Sequence, residues 1–211
     1  MNKTTIYIID DHKLLREVLS FLLNRQPGFE VTGATDNIAE ALNAIRFTNP
    51  SIVLLDINMP QESGFRVAEK ILKIAPDTRI IAMSMYALPV YAKRMFKLGA
   101  WGYLTKNSPH EEMIFGINKV AANERFVCDE IRNMIASDAL DGENVQPGIS
   151  SLTEREIEIL TYLKRGLSSK EIGIELELSG KTVEVHRYNI LRKLNLKNVA
   201  SLVSYAHEMG L

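Results

Sequence analysis

One cysteine, Cys128, stands alone among 211 residues. No internal disulfide can form, and a lone thiol suits a reducing cytosol. No Cys or His accompanies it at ligand spacing, so it reads as a buried, inert thiol. No apolar run approaches the roughly 20 residues needed to span a bilayer, so no membrane partner is expected. The opening, MNKTTIYIIDDHK, reaches acidic residues too soon for a secretory signal. These absences point to a cytoplasmic protein. Excess charge is also missing: the net charge is −1, with 46% apolar and 24% charged residues, as in ordinary globular chains.

That balance hides a local basic stretch. Residues 178–198 hold five bases (Lys181, Arg187, Arg192, Lys193, Lys197) against one acid, Glu184, a surplus of +4. Such a surface suits a polyanion, although solvated basic faces are common.

Residues 5–123 alternate short apolar runs with amphipathic segments. Strand-like runs fall at 5–9, 30–34, 52–55, 79–84 and 102–104. Helical patterns lie around 14–24, 38–48, 63–75, 88–98 and 110–123; in the first, Leu15, Val18, Leu19 and Leu22 recur at helical spacing. Strand–helix alternation repeated five times predicts an α/β fold with a doubly wound, five-stranded parallel sheet. A helix is expected at about 125–136. Residues 137–150, SDALDGENVQPGIS, carry three acids, no base, two glycines and one proline, and read as an exposed linker.

Beyond 150 the pattern is all-α. Thr153 with Glu156 three residues on forms a capping box before Ile157, Ile159, Leu160 and Leu163. Gly166 stops that helix, and a second begins near Ser168 or Ser169. The turn LELSGK leads to a third helix, capped by Ser179 and running to about Leu194. A fourth spans about 198–208. Two short helices joined by a tight turn, the second of them basic, predict a helix-turn-helix. The expected divisions are 1–125, a helix and linker over 126–150, and a smaller domain over 151–211.

In a doubly wound sheet, ligands gather at the carboxyl ends of the strands. The unusual polar residues fall there. Asp10 and Asp11 follow the first strand, Asp56 the third, Ser84 ends the fourth and Lys106 follows the fifth. Asp56 ends the apolar run VLLD, where an ionised carboxylate is costly unless cations or hydrogen bonds offset it. Three converging carboxylates call for a cation, and hard oxygen ligands suit Mg²⁺, which commonly shares its shell with a phosphate. A carboxylate can also attack phosphorus and form an acyl phosphate. The metal and Lys106 would neutralise the transferring group.

These residues resemble a bacterial two-component response regulator. The marks are IIDDH (8–12), LLDINMP followed by Gly64, Ser84, and GAWGYLTK (99–106), a resemblance that covers about 1–125. It implies a flavodoxin-like receiver domain. Asp56 is then the phospho-acceptor, served by a sensor histidine kinase. Asp11 and Asp56 are implied Mg²⁺ ligands, with the backbone carbonyl of Asn58, and Asp10 acts through the metal's water shell. Tyr103 matches the aromatic switch that turns inward as Ser84 moves toward the phosphate. Two departures are present. Asn107 stands where proline often follows the lysine, which leaves the isomer of that bond open. Lys13 stands where proline commonly follows DDH.

Residues 151–211 resemble the helix-turn-helix domain of the NarL/LuxR type, through LTEREIEIL, GLSSKEI and LELSGKTVEVHRYNILRKL. If Val183, Ile190 and Leu194 face the core, Lys181, Glu184, Val185, Tyr188 and Arg192 project outward, a face able to enter the major groove of double-stranded DNA. Glu184 can accept from a cytosine amino group and Val185 can touch a thymine methyl. Lys181, Arg187, Tyr188, Arg192 and Lys193 suit phosphates, while the resemblance also puts Tyr188 among the base-facing positions. Val199, Leu202, Val203 and Ala206 form one stripe of the fourth helix. The resemblance implies that this helix also pairs two subunits.

The combined expectation is a transcription regulator switched at Asp56, with homodimerisation and operator binding as output. In the unmodified state the receiver is expected to cover the recognition helix. Two rivals stand beside it. One is a Mg²⁺-dependent phosphatase with Asp56 as nucleophile; it lacks the second carboxylate such enzymes need, because Asn58 occupies that place. The other is a DNA-binding module that ignores phosphate, which leaves the acidic pocket unexplained.

Overall fold

The computed structural model describes residues 3–60, 62–140, 148 and 151–208, and, the short segment 88–91 apart, the chain divides near Met134 into two compact units. In the first, β1 (Thr4–Ile9), β2 (Phe29–Thr35), β3 (Ile52–Asp56), β4 (Arg79–Ser84) and β5 (Gly102–Thr105) alternate with helices. These helices are α1 (Lys13–Asn24), α2 (Ile38–Thr48), α3 (Gly64–Ile74), α4 (Pro89–Leu98) and α5 (His110–Ala121). Every strand pair is parallel. Parallel neighbours need crossover helices, which cover both faces of the sheet. All five residues of β3 are accordingly buried, which explains its unbroken apolar run.

The sheet has six strands, in the order β2-β1-β3-β4-β5-β6, rather than five. The sixth, β6 (Phe126–Val127), pairs with β5 at the edge. Two residues are too few to show an alternation, so periodicity gives no sign of it. Packing holds it there: the buried Phe126 ring meets Phe115 edge to face at 5.8 Å. The expected helix at 125–136 therefore starts later, as α6 (Asp129–Leu140), and runs four residues into the acidic stretch that begins at 137. Residues 141–147, 149 and 150 of the linker reading lie outside the described residues. The start of α6 is tied to the sheet's rim. The Asp129 amide donates to Glu112 Oε1 at 2.6 Å, and the Thr105 hydroxyl donates to Glu130 Oε2 at 2.8 Å.

Register aligns the carboxyl ends of four strands. Ile9 pairs with Leu55, Asp56 with Met83 and Ser84 with Thr105. Adjacent strands lie about 4.8 Å apart, so residues that just follow them share one rim. Gly64 closes the rim from below. A Cβ there would sit 2.5 Å from the carbonyl oxygen of Asp56, too close for any side chain. On α1, Leu19 of the expected stripe is buried together with Leu23, Leu15 and Leu22 are half-buried, and Val18 is exposed.

The second unit contains α7 (Glu154–Lys164), α8 (Ser169–Glu175), α9 (Gly180–Lys193) and α10 (Val199–Glu208). Capping boxes open α7 at Thr153 and α8 at Ser168, and the Ser179 side chain caps α9. Gly166, at φ +84°, ends α7 in the left-handed region that glycine enters without strain. Gly173 lets the α8–α9 turn close: a Cβ there would lie 2.7 Å from the Leu178 carbonyl oxygen. The core collects Ile157, Leu160, Ile172, Val183, Ile190 and Leu202, all fully buried.

Candidate functional site

At the rim, Lys106 Nζ lies 2.7 Å from Asp56 Oδ2 and 2.8 Å from Asp10 Oδ2. Both carboxylates are fully buried, so an ammonium is needed to offset their charge. The other Asp56 oxygen, Oδ1, accepts from the Asn58 amide at 2.9 Å. The Asp56 pKa is raised from 3.8 to about 6, because burial, helped by the charge of Asp10, outweighs the downward pull of Lys106 and the Asn58 amide. Asp11 stands at the outer lip. Asp10 Oδ2 and Asp11 Oδ1 are buried and accept no hydrogen bond, although Lys106 Nζ and His12 Nδ1 stand close to them as ion-pair neighbours. Carboxylate oxygens left without hydrogen bonds, beside a third carboxylate, fit a divalent cation with hard oxygen ligands.

Ser84 bonds to neighbours of the carboxylate. Its hydroxyl donates to Asn58 Oδ1 at 2.8 Å and accepts from the Tyr86 amide at 3.0 Å. The Tyr86 carbonyl in turn accepts from the Tyr103 hydroxyl at 3.3 Å. Tyr103 is fully buried, the inward position. A chain of hydrogen bonds thus runs from the Asp56 loop through Ser84 to Tyr103. The Tyr86 hydroxyl is raised above its ordinary pKa of 10.0 by burial and then by the charge of Asp56. The Lys106 amide donates to the Ser84 carbonyl at 2.7 Å, which carries β4–β5 pairing to the rim's end. The Lys106–Asn107 bond is trans, since no peptide bond among the described residues is cis.

Sequence reasoning passed over several neighbours. Arg16 Nη1 donates to the Asp10 carbonyl at 2.5 Å and pins the loop that carries both first-strand aspartates. Tyr86 and the Asn58 side chain join the rim through the network just described. His12 enters it as well, with Nδ1 3.2 Å from Lys106 Nζ. The only signal for His12 was its adjacency to the Asp pair.

On α9, Lys181, Glu184, Val185, Tyr188 and Arg192 are exposed, while Val183, Ile190 and Leu194 are buried. Arg187 and Lys193 lie only partly exposed and have partners within the unit. Arg187 Nη1 donates to the Ser169 hydroxyl, and Lys193 Nζ lies 2.7 Å from the buried Glu156. Burial would raise the Glu156 pKa, but hydrogen bonds from Lys193 and Thr153 outweigh it and hold the group below 4.5. On α10, Leu202 and Ala206 are buried, and Val199 and Val203 half-buried.

This fold and rim define a receiver joined to a helical DNA-binding unit. Residues 6–118 match the response regulator receiver domain family, and residues 150–206 match the bacterial regulatory proteins of the luxR family. The chain belongs to the response regulators that carry a luxR-family domain, which are phosphorylation-dependent, DNA-binding transcription regulators. It is 35% identical over 208 residues to the oxygen regulatory protein NreC of Staphylococcus epidermidis, covering 95% of each chain. It is 33% identical over 207 residues to NreC of Staphylococcus carnosus, again over 95% of each. A LuxR-family two-component response regulator from Aurantimonas matches with a TM-score of 0.62 and 29% identity, over 66% of this chain and 99% of that one. RcsB of Salmonella enterica serovar Typhimurium, solved on the promoter rprA with the phosphomimetic BeF3−, matches with a TM-score of 0.77 over 97% of this chain and 98% of that one. At 19% identity this second structural match speaks for the fold alone. Among the described residues, no helix is long and apolar enough to cross a membrane.

Proposed function

We propose that Asp56 receives a phosphoryl group from a sensor histidine kinase and that this modification governs operator binding by α9. The observation that carries the reading is the convergence of Lys106 on both Asp56 and Asp10, across four strand ends. Asp56 is the nucleophile: one carboxylate oxygen bonds to phosphorus as the bond to the donor histidine nitrogen breaks, leaving an acyl phosphate. Lys106 balances charge on the transferring group, and the Asn58 amide orients the attacking carboxylate. Asp10, Asp11, Asp56 and the Asn58 carbonyl are the Mg²⁺ ligands, directly or through water. When bound, the ion supplies positive charge for phosphoryl oxygens. Turnover of external phosphoesters is not expected, because Asn58 cannot act as the general acid.

The acyl phosphate adds charge of about −1.5 to −2 next to Ser84. A new acceptor there draws the Ser84 hydroxyl away from Asn58. The change passes through the Tyr86 backbone to Tyr103 and loosens a two-state element that includes α4.

The exposed side of α9 reads DNA. Glu184, Val185 and Tyr188 meet base edges in the major groove, while Lys181 and Arg192 meet phosphates. Arg187 and Lys193 can join the phosphate set only by leaving Ser169 and Glu156. A homodimer, through α10 or the receivers, presents two such helices to two half-sites. A DNA partner places the working protein in the cytoplasm.

The test compares wild type and Asp56→Ala, with and without acetyl phosphate. Mass spectrometry should find one added phosphate on wild type alone, at Asp56. Operator affinity should rise only for that species. Equal affinity in all four samples would refute phospho-control.

A further inference from the structure

The DDH segment brings an imidazole into a pocket otherwise made of oxygen donors. His12 Nδ1 lies 2.7 Å from Asp11 Oδ1, 3.2 Å from Asp10 Oδ1 and 4.0 Å from Asp56 Oδ2. It also lies 3.2 Å from Lys106 Nζ. An ammonium can only donate, so if Lys106 bonds to Nδ1 that nitrogen accepts and its proton sits on Nε2. The Nδ1 lone pair then points into the pocket, toward carboxylate oxygens that repel it. A tautomer with the proton on Nδ1 can satisfy one carboxylate and then faces the ammonium instead. No tautomer satisfies every neighbour. A cation placed between nitrogen and oxygens satisfies the imidazole and the carboxylates together, with Lys106 kept on Asp56 and Asp10.

The separations allow it. One ligand atom from each of Asp10, Asp11, His12 and Asp56 can be chosen so that all lie within 4.8 Å of one another. An octahedral ion with bonds of about 2.1 Å sets adjacent ligand atoms about 3 Å apart and opposite ones about 4.2 Å apart. Only a contraction of about half an ångström separates the two arrangements. Asp10 is fully buried, and its Oδ2, ion-paired with Lys106 Nζ at 2.8 Å, accepts no regular hydrogen bond, which leaves it a lone pair for a metal.

We propose that His12 is a nitrogen ligand of this cation site and shifts its preference from Mg²⁺ toward borderline ions such as Mn²⁺ and Co²⁺. This rests on the metal-assisted reading of the pocket given above. Mg²⁺ takes oxygen ligands and retains water, whereas imidazole favours the later divalent ions. With Mg²⁺, His12 stays outside the inner shell; with Mn²⁺ or Co²⁺, it enters.

The experiment uses the full chain, labelled with ring-¹⁵N histidine or unlabelled, and titrated with Mn²⁺ and Mg²⁺. Pulsed electron paramagnetic resonance of the Mn²⁺ complex should show a directly bound histidine nitrogen. The signal should change with the isotope and vanish in His12→Ala and His12→Asn. The ratio of Mn²⁺ to Mg²⁺ affinity should fall about tenfold in both variants. His12 is an exposed residue, so both variants should fold; circular dichroism checks this. A Mn²⁺ complex without histidine coupling, or an unchanged affinity ratio, overturns the role of His12 and leaves the pocket reading intact. If neither ion binds, both readings are overturned.

Discussion

Asp56 should make the receiver less stable as the pH rises, and Asp56→Asn should abolish that effect. Its carboxyl is raised from 3.8 to about 6 by burial. The folded state therefore holds the proton over a range where the unfolded chain has lost it. For a raised acid the sign is fixed: stability falls as the pH climbs from about 4 to about 6, and then levels. The rise corresponds to about 3 kcal/mol at neutral pH. In the variant the amide keeps an acceptor for the Asn58 amide, and Lys106 keeps Asp10 at 2.8 Å. Urea unfolding in chelator, followed by fluorescence of Trp101, isolates this unit, because Trp101 is the chain's single tryptophan. Wild type and Asp56→Asn should agree near pH 4, and the variant should be more stable by about 3 kcal/mol at pH 7.5. Mg²⁺ should narrow that gap by stabilising wild type. A stability difference that does not change with pH would refute the assignment of the strain to the ionised carboxylate.

Other expectations concern both units. Lys193→Met should destabilise the helical unit by about 1–3 kcal/mol, by leaving the buried Glu156 without its ammonium, as differential scanning calorimetry can show. Because Glu156 titrates below 4.5, its contribution is full above that value and lost as the pH falls through it; the variant should lose this acid sensitivity. Arg192→Ala should weaken operator binding and lower the slope of log affinity against log salt by about one, whereas Val185→Ala should change sequence preference with the slope retained. Gly64→Ala should displace the Asp56 loop and slow phosphorylation by acetyl phosphate, since its Cβ would meet the Asp56 carbonyl. Ser179→Ala should cost the helical unit about 1 kcal/mol in urea titration, through loss of the α9 cap.

The sequence alone determined whatever depends on neighbours along the chain. The capping box at Thr153 and Glu156, the stop at Gly166 and the buried run of β3 are local events, each with its own residue signature. The outward face of α9 was legible for the same reason: helical period assigns Lys181, Glu184, Val185, Tyr188 and Arg192 to one side. Even the rim could be assembled, because parallel topology sends every strand end to one edge. The tertiary structure alone decided what those side chains do on meeting others far along the chain. The partnership of Lys193 with Glu156 spans 37 positions, and that of His12 with Lys106 spans 94. No periodicity records such pairs, since long side chains choose among nearby charges only after packing has set the distances. The sixth strand belongs to the same class: two residues gain their conformation from β5 and from the ring of Phe115, not from any pattern of their own.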